Sequence, residues 1–401
     1  MAALRHRDFR LLFFGKVFGW TAVHMVMVAI GYQVYDRTGD LMNLAYIGLA
    51  TFAPGFVFAL FTGYAADRFD RKLVLGLCYV VMLAVGVLFL LLSLAGLPQV
   101  WPVFFLLTVL GTARAFYQPA ANSLVPNVVP AAVFPNAVAW HTSMNKVTQV
   151  AGPALGGVLY LAGPEVVYAT ASGGFAVAVV TMFLIRTRTT RAGREPASLA
   201  TLLAGIRYVY AKKIVFGAIT VDLFVVLLGG VTALLPVYAR DILQTGPSGA
   251  GFLRSAMAAG ALLTGLALTR MALSAAVGRI LMICIFIYGG MTVLFGVSQW
   301  YWLSLLAMAI LGAADMVSVV IRHTLLQIAT PDEMRGRVSA VNAVFTGASN
   351  ELGEFRAGTM AALIGVVPAV VIGGLGAMAV AAVGWRLFPE LVRVERMDRS
   401  L

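Results

Sequence analysis

Gly111-Thr112-Ala113-Arg114 lies inside one long apolar run, and Gly312-Ala313-Ala314-Asp315 lies inside another, in the other half of the chain. Pro130 and Pro331 follow the two glycines at the same offset. A charge in the middle of a bilayer is costly, so an ionisable residue there marks a functional site by default. One such residue in each half, with opposite sign, implies two related halves facing a polar pathway, which is the plan of a secondary transporter.

The rest of the chain fits that plan. Of its 401 residues, 61% are hydrophobic and 11% charged; a soluble chain carries about 25% charged residues, so a water-soluble core is excluded. A spanning helix needs about 20 apolar residues. Twelve runs of that kind are expected at 9–35, 41–66, 73–95, 100–125, 134–162, 166–186, 214–242, 248–270, 279–298, 301–329, 338–363 and 366–388. They are too long and continuous for barrel strands. The fold class is therefore an all-α membrane protein, twelve transmembrane helices in two pseudo-symmetric six-helix bundles. The expected domains are an N-terminal bundle over 1–186, a cytoplasmic linker over 187–213 and a C-terminal bundle over 214–401. In the linker, Ser198 to Lys213 is amphipathic and reads either as an interfacial helix on anionic headgroups or as a plain tether.

The net charge of +12 does not indicate nucleic acid. The basic residues sit in short polar breaks on alternate sides of the helices, an orientation signal that places both termini in the cytoplasm. Trp101, Trp300 and Trp302 stand where an aromatic belt would. Cys78 and Cys284 lie in apolar runs and read as packed small side chains. No spacing suggests a metal site, a disulfide framework, a nucleotide loop or a nucleophile–base pair. The chain is thus expected to be no enzyme and to need no cofactor or metal. Its expected partners are a small-molecule substrate, protons and membrane lipids, with no nucleic acid, and it is expected to act as a monomer.

Inside the runs, the basic residues are Lys16, Arg114, Lys146, Arg254, Arg322 and Arg356; the acids are Asp222, Asp315, Glu351 and Glu354; His24 and His141 add neutral titratable groups. The bodies of the third, sixth, ninth and twelfth runs have none. Arg114 and Asp315 could pair with each other, hold opposite ends of a substrate, or neutralise charge statically. Lys16 and Asp222 form a second plausible pair. The substrate pathway is assigned to Arg114, Asp315, Lys146, His24, Asp222, Lys16 and Arg322. Glu351 and Glu354 share a helical face, and two close carboxylates in low dielectric cannot both ionise easily. With Asp315 they are the candidates for proton coupling; local pairing with Arg356 or Arg254 is the alternative.

Three motifs carry a family resemblance. Gly63-Tyr-Ala-Ala-Asp67-Arg68-Phe-Asp70-Arg71-Lys72 resembles the signature loop of the major facilitator superfamily, with Asp70 in place of its second glycine. Gly152-Pro153-Ala-Leu-Gly156-Gly157 resembles the core of that superfamily's fifth-helix antiporter motif. Pro331-Asp-Glu-Met-Arg335-Gly336-Arg337 resembles a loop of its siderophore- and macrolide-efflux branch, and the whole chain looks enterobactin-exporter-like. The resemblance implies a proton-coupled exporter working by alternating access in a bacterial cytoplasmic membrane, on a siderophore-like anion; a multidrug or macrolide pump and a lipid or lysophospholipid transporter are the alternatives. In the signature loop Gly63 permits close helix approach, Asp67 can cap a helix, and Arg68 and Arg71 can pair with carboxylates or terminal carbonyls as a conformational latch.

Overall fold

The computed structural model describes residues 2–58, 61–62, 68–187, 206–270 and 276–395, and no strand occurs among them. Among the described residues, twelve long helices lie in the expected runs: α1 (Arg7–Thr38), α2 (Leu41–Val57), α3 (Arg71–Leu94), α4 (Trp101–Leu124), α5 (Phe134–Leu159), α6 (Pro164–Leu184), α7 (Lys213–Gly229), α8 (Gly246–Leu268), α9 (Val277–Val297), α10 (Tyr301–Ile328), α11 (Asp332–Ile364) and α12 (Val366–Leu387). Among the described residues, eight segments are long and apolar enough to cross a membrane, one of them α7 with its continuation to Ile242. The others are α2, shorter as described, and α4, α5 and α11, which carry Arg114, Lys146, Glu351, Glu354 and Arg356. In α4, α5 and α11 the weaker apolarity comes from those charges and from other polar residues. Gly39, at φ +62, ends α1 by returning its N–H to Tyr35 O at 2.8 Å; a left-handed backbone there suits glycine.

The chain divides into two compact units, the first Met1–Gly39, Leu49–Ala197 and Gly246–Ser255, the second Asp40–Gly48, Ser198–Thr245 and Ala256–Leu401. The first turns of α2 thus cluster with the second unit, and those of α8 with the first. In the first unit α1 packs on α5 and α6, and α3 on α4 and α6. In the second, α7 packs on α11 and α12, and α9 on α10 and α12. Shifting each helix by six positions converts one set of pairs into the other, which is the parallel repeat the two charged motifs announce.

The glycines of those motifs explain the crossings. A Cβ on Gly111 would collide with the Thr51 carbonyl of α2; one on Gly312 would collide with the Met257 carbonyl of α8. Small residues let helix backbones approach closely in lipid. In α5, Gly156 lies against the Met25 backbone of α1, and Gly157 against Pro247 and Gly251 of α8. In α11, Gly353 lies against Val226 O of α7, and Gly358 against Ala45 of α2.

Two stretches differ from expectation. The seventh helix does not run unbroken to 242. It stops at Gly229, and after Gly230 and Val231 the chain continues as a 3-10 turn at Thr232–Leu234, a helical turn at Leu235–Val237 and a π turn at Tyr238–Ile242. The eleventh begins at Asp332, so the expected loop after Pro331 forms its first turns. Of the amphipathic linker, 188–205 lies outside the described residues; a short helix at 206–211 buries Val209, and Tyr208 donates to Ala329 O at 2.9 Å, beyond the end of α10.

Candidate functional site

The first unit gathers basic groups around one face of α1. Lys16, Trp20 and His24 stand one turn apart on it. Lys16 is buried and donates from Nζ to His141 O of α5 at 2.9 Å. Arg114 of α4 lies over the Trp20 indole, 5.8 Å from its centre. Trp20 in turn meets Tyr117 edge-on at 5.4 Å, and Tyr117 OH accepts from Tyr79 OH at 2.9 Å. Gly152 of α5 crosses directly on the His24 Cβ, and His24 is within electrostatic reach of both Arg114 and Arg254. Lys146 and Arg254 are half-buried. Away from helix ends, the interior charges described in this unit are all basic. A guanidinium stacked on an aromatic face, with further cations nearby, suits a planar anion such as a carboxylate or catecholate.

The second unit is organised around the break in α7. A helix end leaves its last carbonyls without intrahelical partners, and these are collected by name. Arg356 of α11 donates from Nε to Leu227 O at 2.8 Å and from Nη2 to Leu228 O at 2.5 Å. Tyr288 OH of α9 donates to Gly229 O at 3.3 Å. Beyond the break, Thr232 Oγ1 donates to Glu354 Oε1 at 2.8 Å. Glu354 also backs onto Gly48 of α2, where an added Cβ would come within 3.4 Å of the Glu354 Cβ. Asp315 of α10 lies within electrostatic reach of Tyr288, as Arg356 does. Of the expected proton-coupling residues, Glu354 is thereby placed at the discontinuity, and Asp315 is within electrostatic reach of a group that caps it. Discontinuous helices of this kind mark binding and coupling sites in transporters.

Asp222 of α7 forms an ion pair with Arg322 of α10, the two side chains 9% and 3% exposed. Both ions belong to the second unit, and in so buried a place leaving either one without the other is costly.

In the signature loop, Gly63 and Asp67 lie outside the described residues. The cap of α3 is made by Asp70, whose Oδ1 accepts from Lys72 N at 2.9 Å and Leu73 N at 3.4 Å. The residue that departs from the family pattern thus supplies the N-cap, a role for which Asp is well suited. Arg71 is buried and donates to Ser123 O at 3.0 Å and Asn127 Oδ1 at 2.9 Å, at the end of α4. Lys72 reaches the Ile185 carbonyl, just past α6. Arg68 is exposed.

Sequence reading missed Arg356 as a cap, together with Tyr288 and Thr232. The available signal was Gly229-Gly230 inside an apolar run, which invites a break. It also missed the buried chain in which Gln33 Nε2 donates to Ser93 Oγ at 2.8 Å, Tyr168 OH to Gln33 Oε1 at 2.7 Å and Ser93 Oγ to Glu165 Oε1 at 2.9 Å.

Comparison with known proteins bears on this arrangement. The model of a transmembrane secretion effector family matches residues 1–400. The enterobactin exporter EntS of Shigella boydii serotype 18 is 26% identical over 385 residues, covering 93% of this chain and 86% of the relative. That of Escherichia coli O81 gives the same figures. Among solved structures, a bacterial homologue of the human lysosomal transporter Spinster, inward-facing and unoccupied, superposes with a TM-score of 0.74 at 16% identity, over 96% of this chain and 98% of that one. A POT family transporter in complex with a thioalcohol-conjugated peptide superposes with a TM-score of 0.78 at 11% identity, over 96% of each chain.

Proposed function

Because this chain belongs to the transmembrane secretion effector family, within the major facilitator superfamily of membrane transporters, we propose that it exports a small organic anion by proton-coupled alternating access. The observation that carries this reading is the partition of interior charge. Arg114 and His24 of the first unit lie beside Trp20, Arg254 is within electrostatic reach of His24, and the interior charges described in that unit are all basic, whereas Asp315, Glu351 and Glu354 all belong to the second unit. The first set recognises the anion through forked donors and an aromatic face. The second takes up protons, as chains of Asp and Glu do in pumps. Asp222 and Arg322 neutralise each other and serve as structure.

The similarity to enterobactin exporters supports a siderophore-like chelator, whose catecholate or carboxylate groups match the basic set. The transporter works as a monomer in a bacterial cytoplasmic membrane, with both termini in the cytoplasm. Protons flowing inward drive the anion outward.

The test is substrate-stimulated proton flux in proteoliposomes, with a catecholate siderophore, a macrolide and a lysophospholipid offered separately. Asp315→Asn or Glu351→Gln abolishes proton-coupled efflux of the catecholate and leaves the protein folded, and Arg114→Gln weakens its apparent affinity. Normal coupled transport by both carboxylate variants overturns the assignment of roles; transport of only the macrolide or the lysophospholipid overturns the substrate class.

A further inference from the structure

Along the second unit, between α9 and α12, runs an open cavity of about 500 Å³. Ile283, Phe286 and Ile287 of α9 form one wall; Ala382, Trp385 and Arg386 of α12 belong to the other. The hollow exists because bulky side chains of one helix stand opposite alanines of the next. Its lining reaches about 8 Å along the helix axes, from a rise of about 1.5 Å per residue. Ile283 is 50% exposed, Phe286 49% and Trp385 43%. In a membrane-spanning chain, such a surface meets lipid.

One end of the hollow is charged. Arg386 lines it, and Arg279 lies one turn before Ile283 on α9. Both are exposed, and neither has a carboxylate partner among the described residues. Arg393 lies at the same end, because Gly278 N donates to Val394 O at 3.0 Å. Among the described residues, the nearby acids are Glu390, held by Lys213 at 3.1 Å, and Glu395. Among the described residues the balance at this end is positive: three arginines and one lysine against two carboxylates. Apolar depth, an indole near the rim and guanidinium groups at the mouth repeat the layers of a phospholipid from chain to headgroup.

We propose that this groove seats an acyl chain of an anionic membrane phospholipid, with its phosphate held by Arg386 and Arg279. The site does not depend on the transport reading. Trp385 lies at the level of the glycerol, as interfacial tryptophans do. Each basic residue near a membrane surface contributes about 1 kcal/mol to anionic-lipid attraction, which is about five-fold in retention.

The test is native mass spectrometry of the full chain, released from micelles doped with phosphatidylglycerol or with phosphatidylcholine of the same acyl chains. Phosphatidylglycerol is retained preferentially. Arg386→Gln and Arg279→Gln each reduce that retention about five-fold, Arg386→Lys restores most of it, and Ala382→Trp, which fills the hollow, reduces retention of both lipids. Equal retention of the two lipids by the natural protein, or no change in Arg386→Gln, overturns the proposal. Loss in the arginine variants with none in Ala382→Trp overturns the groove and leaves surface attraction alone.

Discussion

Arg322→Met removes one partner of an ion pair whose side chains are only 3% and 9% exposed. At 4 Å and an effective dielectric of about 20 the attraction between unit charges is about 4 kcal/mol. Withdrawing each ion from water costs several kcal/mol, so the intact pair nearly breaks even, whereas a lone buried Asp222 keeps its cost and loses its attraction. The single variant should therefore lose about 3–5 kcal/mol. The double variant Asp222→Leu with Arg322→Met leaves no charge to neutralise. It should be at least as stable as the natural protein, by up to about 4 kcal/mol. Reversible unfolding in mixed micelles, followed by far-ultraviolet circular dichroism, measures all three. Because the pair is assigned a structural role, the double variant should also retain transport in proteoliposomes. A double variant that folds but transports nothing would refute the reasoning, since the pair would then have to open or bind during the cycle. A single variant within about 1 kcal/mol of the natural protein would refute the burial argument itself, since removing one partner should cost at least about 3 kcal/mol.

Three further outcomes follow from the packing. Arg356→Gln takes the charged donor from the Leu227 and Leu228 carbonyls; at about 1.5 kcal/mol for each charge-assisted bond, it should cost about 3 kcal/mol in the same unfolding titration, with Arg356→Lys intermediate, and an unchanged midpoint counts against the cap. Asp70→Ala removes the cap of α3 and should cost about 1 kcal/mol, seen as faster hydrogen exchange at the Lys72 and Leu73 amides; unaltered exchange there means the cap is idle. Gly312→Val drives a Cβ into the Met257 carbonyl and should abolish monodisperse yield, while Gly290→Val, which meets nothing within 4 Å, should be tolerated; equal yields would contradict the close crossing of α8 and α10.

The repeat was readable because its two markers are local. Gly111 with Arg114, and Gly312 with Asp315, each place a small residue and a charge within one turn. The glycine permits the crossing and the charge marks an interior face, whatever else the helix touches. The fifth-helix glycines were readable for the same reason. The break in α7 was obscured by its own composition: the run from Lys213 to Ile242 is apolar enough to read as one span. Its termination depends on donors supplied by α9 and α11, which are remote in sequence. The latch residues show the same limit. Arg71 reads as a cation for a carboxylate or a terminal carbonyl, and only packing brought it to the Ser123 carbonyl and the Asn127 amide oxygen at the end of α4.

The chain's sequence by itself determined which segments cross the membrane and which of them carry charge. A bilayer judges each stretch of about 20 residues separately, so that information is local. Only the tertiary structure decided which charge meets which. Asp222 meets Arg322, Glu354 meets Thr232, and Arg356 serves backbone carbonyls rather than a carboxylate. The physical reason is that a buried charge takes whatever partner helix rotation and a broken backbone bring within reach, and both are set by packing among residues far apart in the chain.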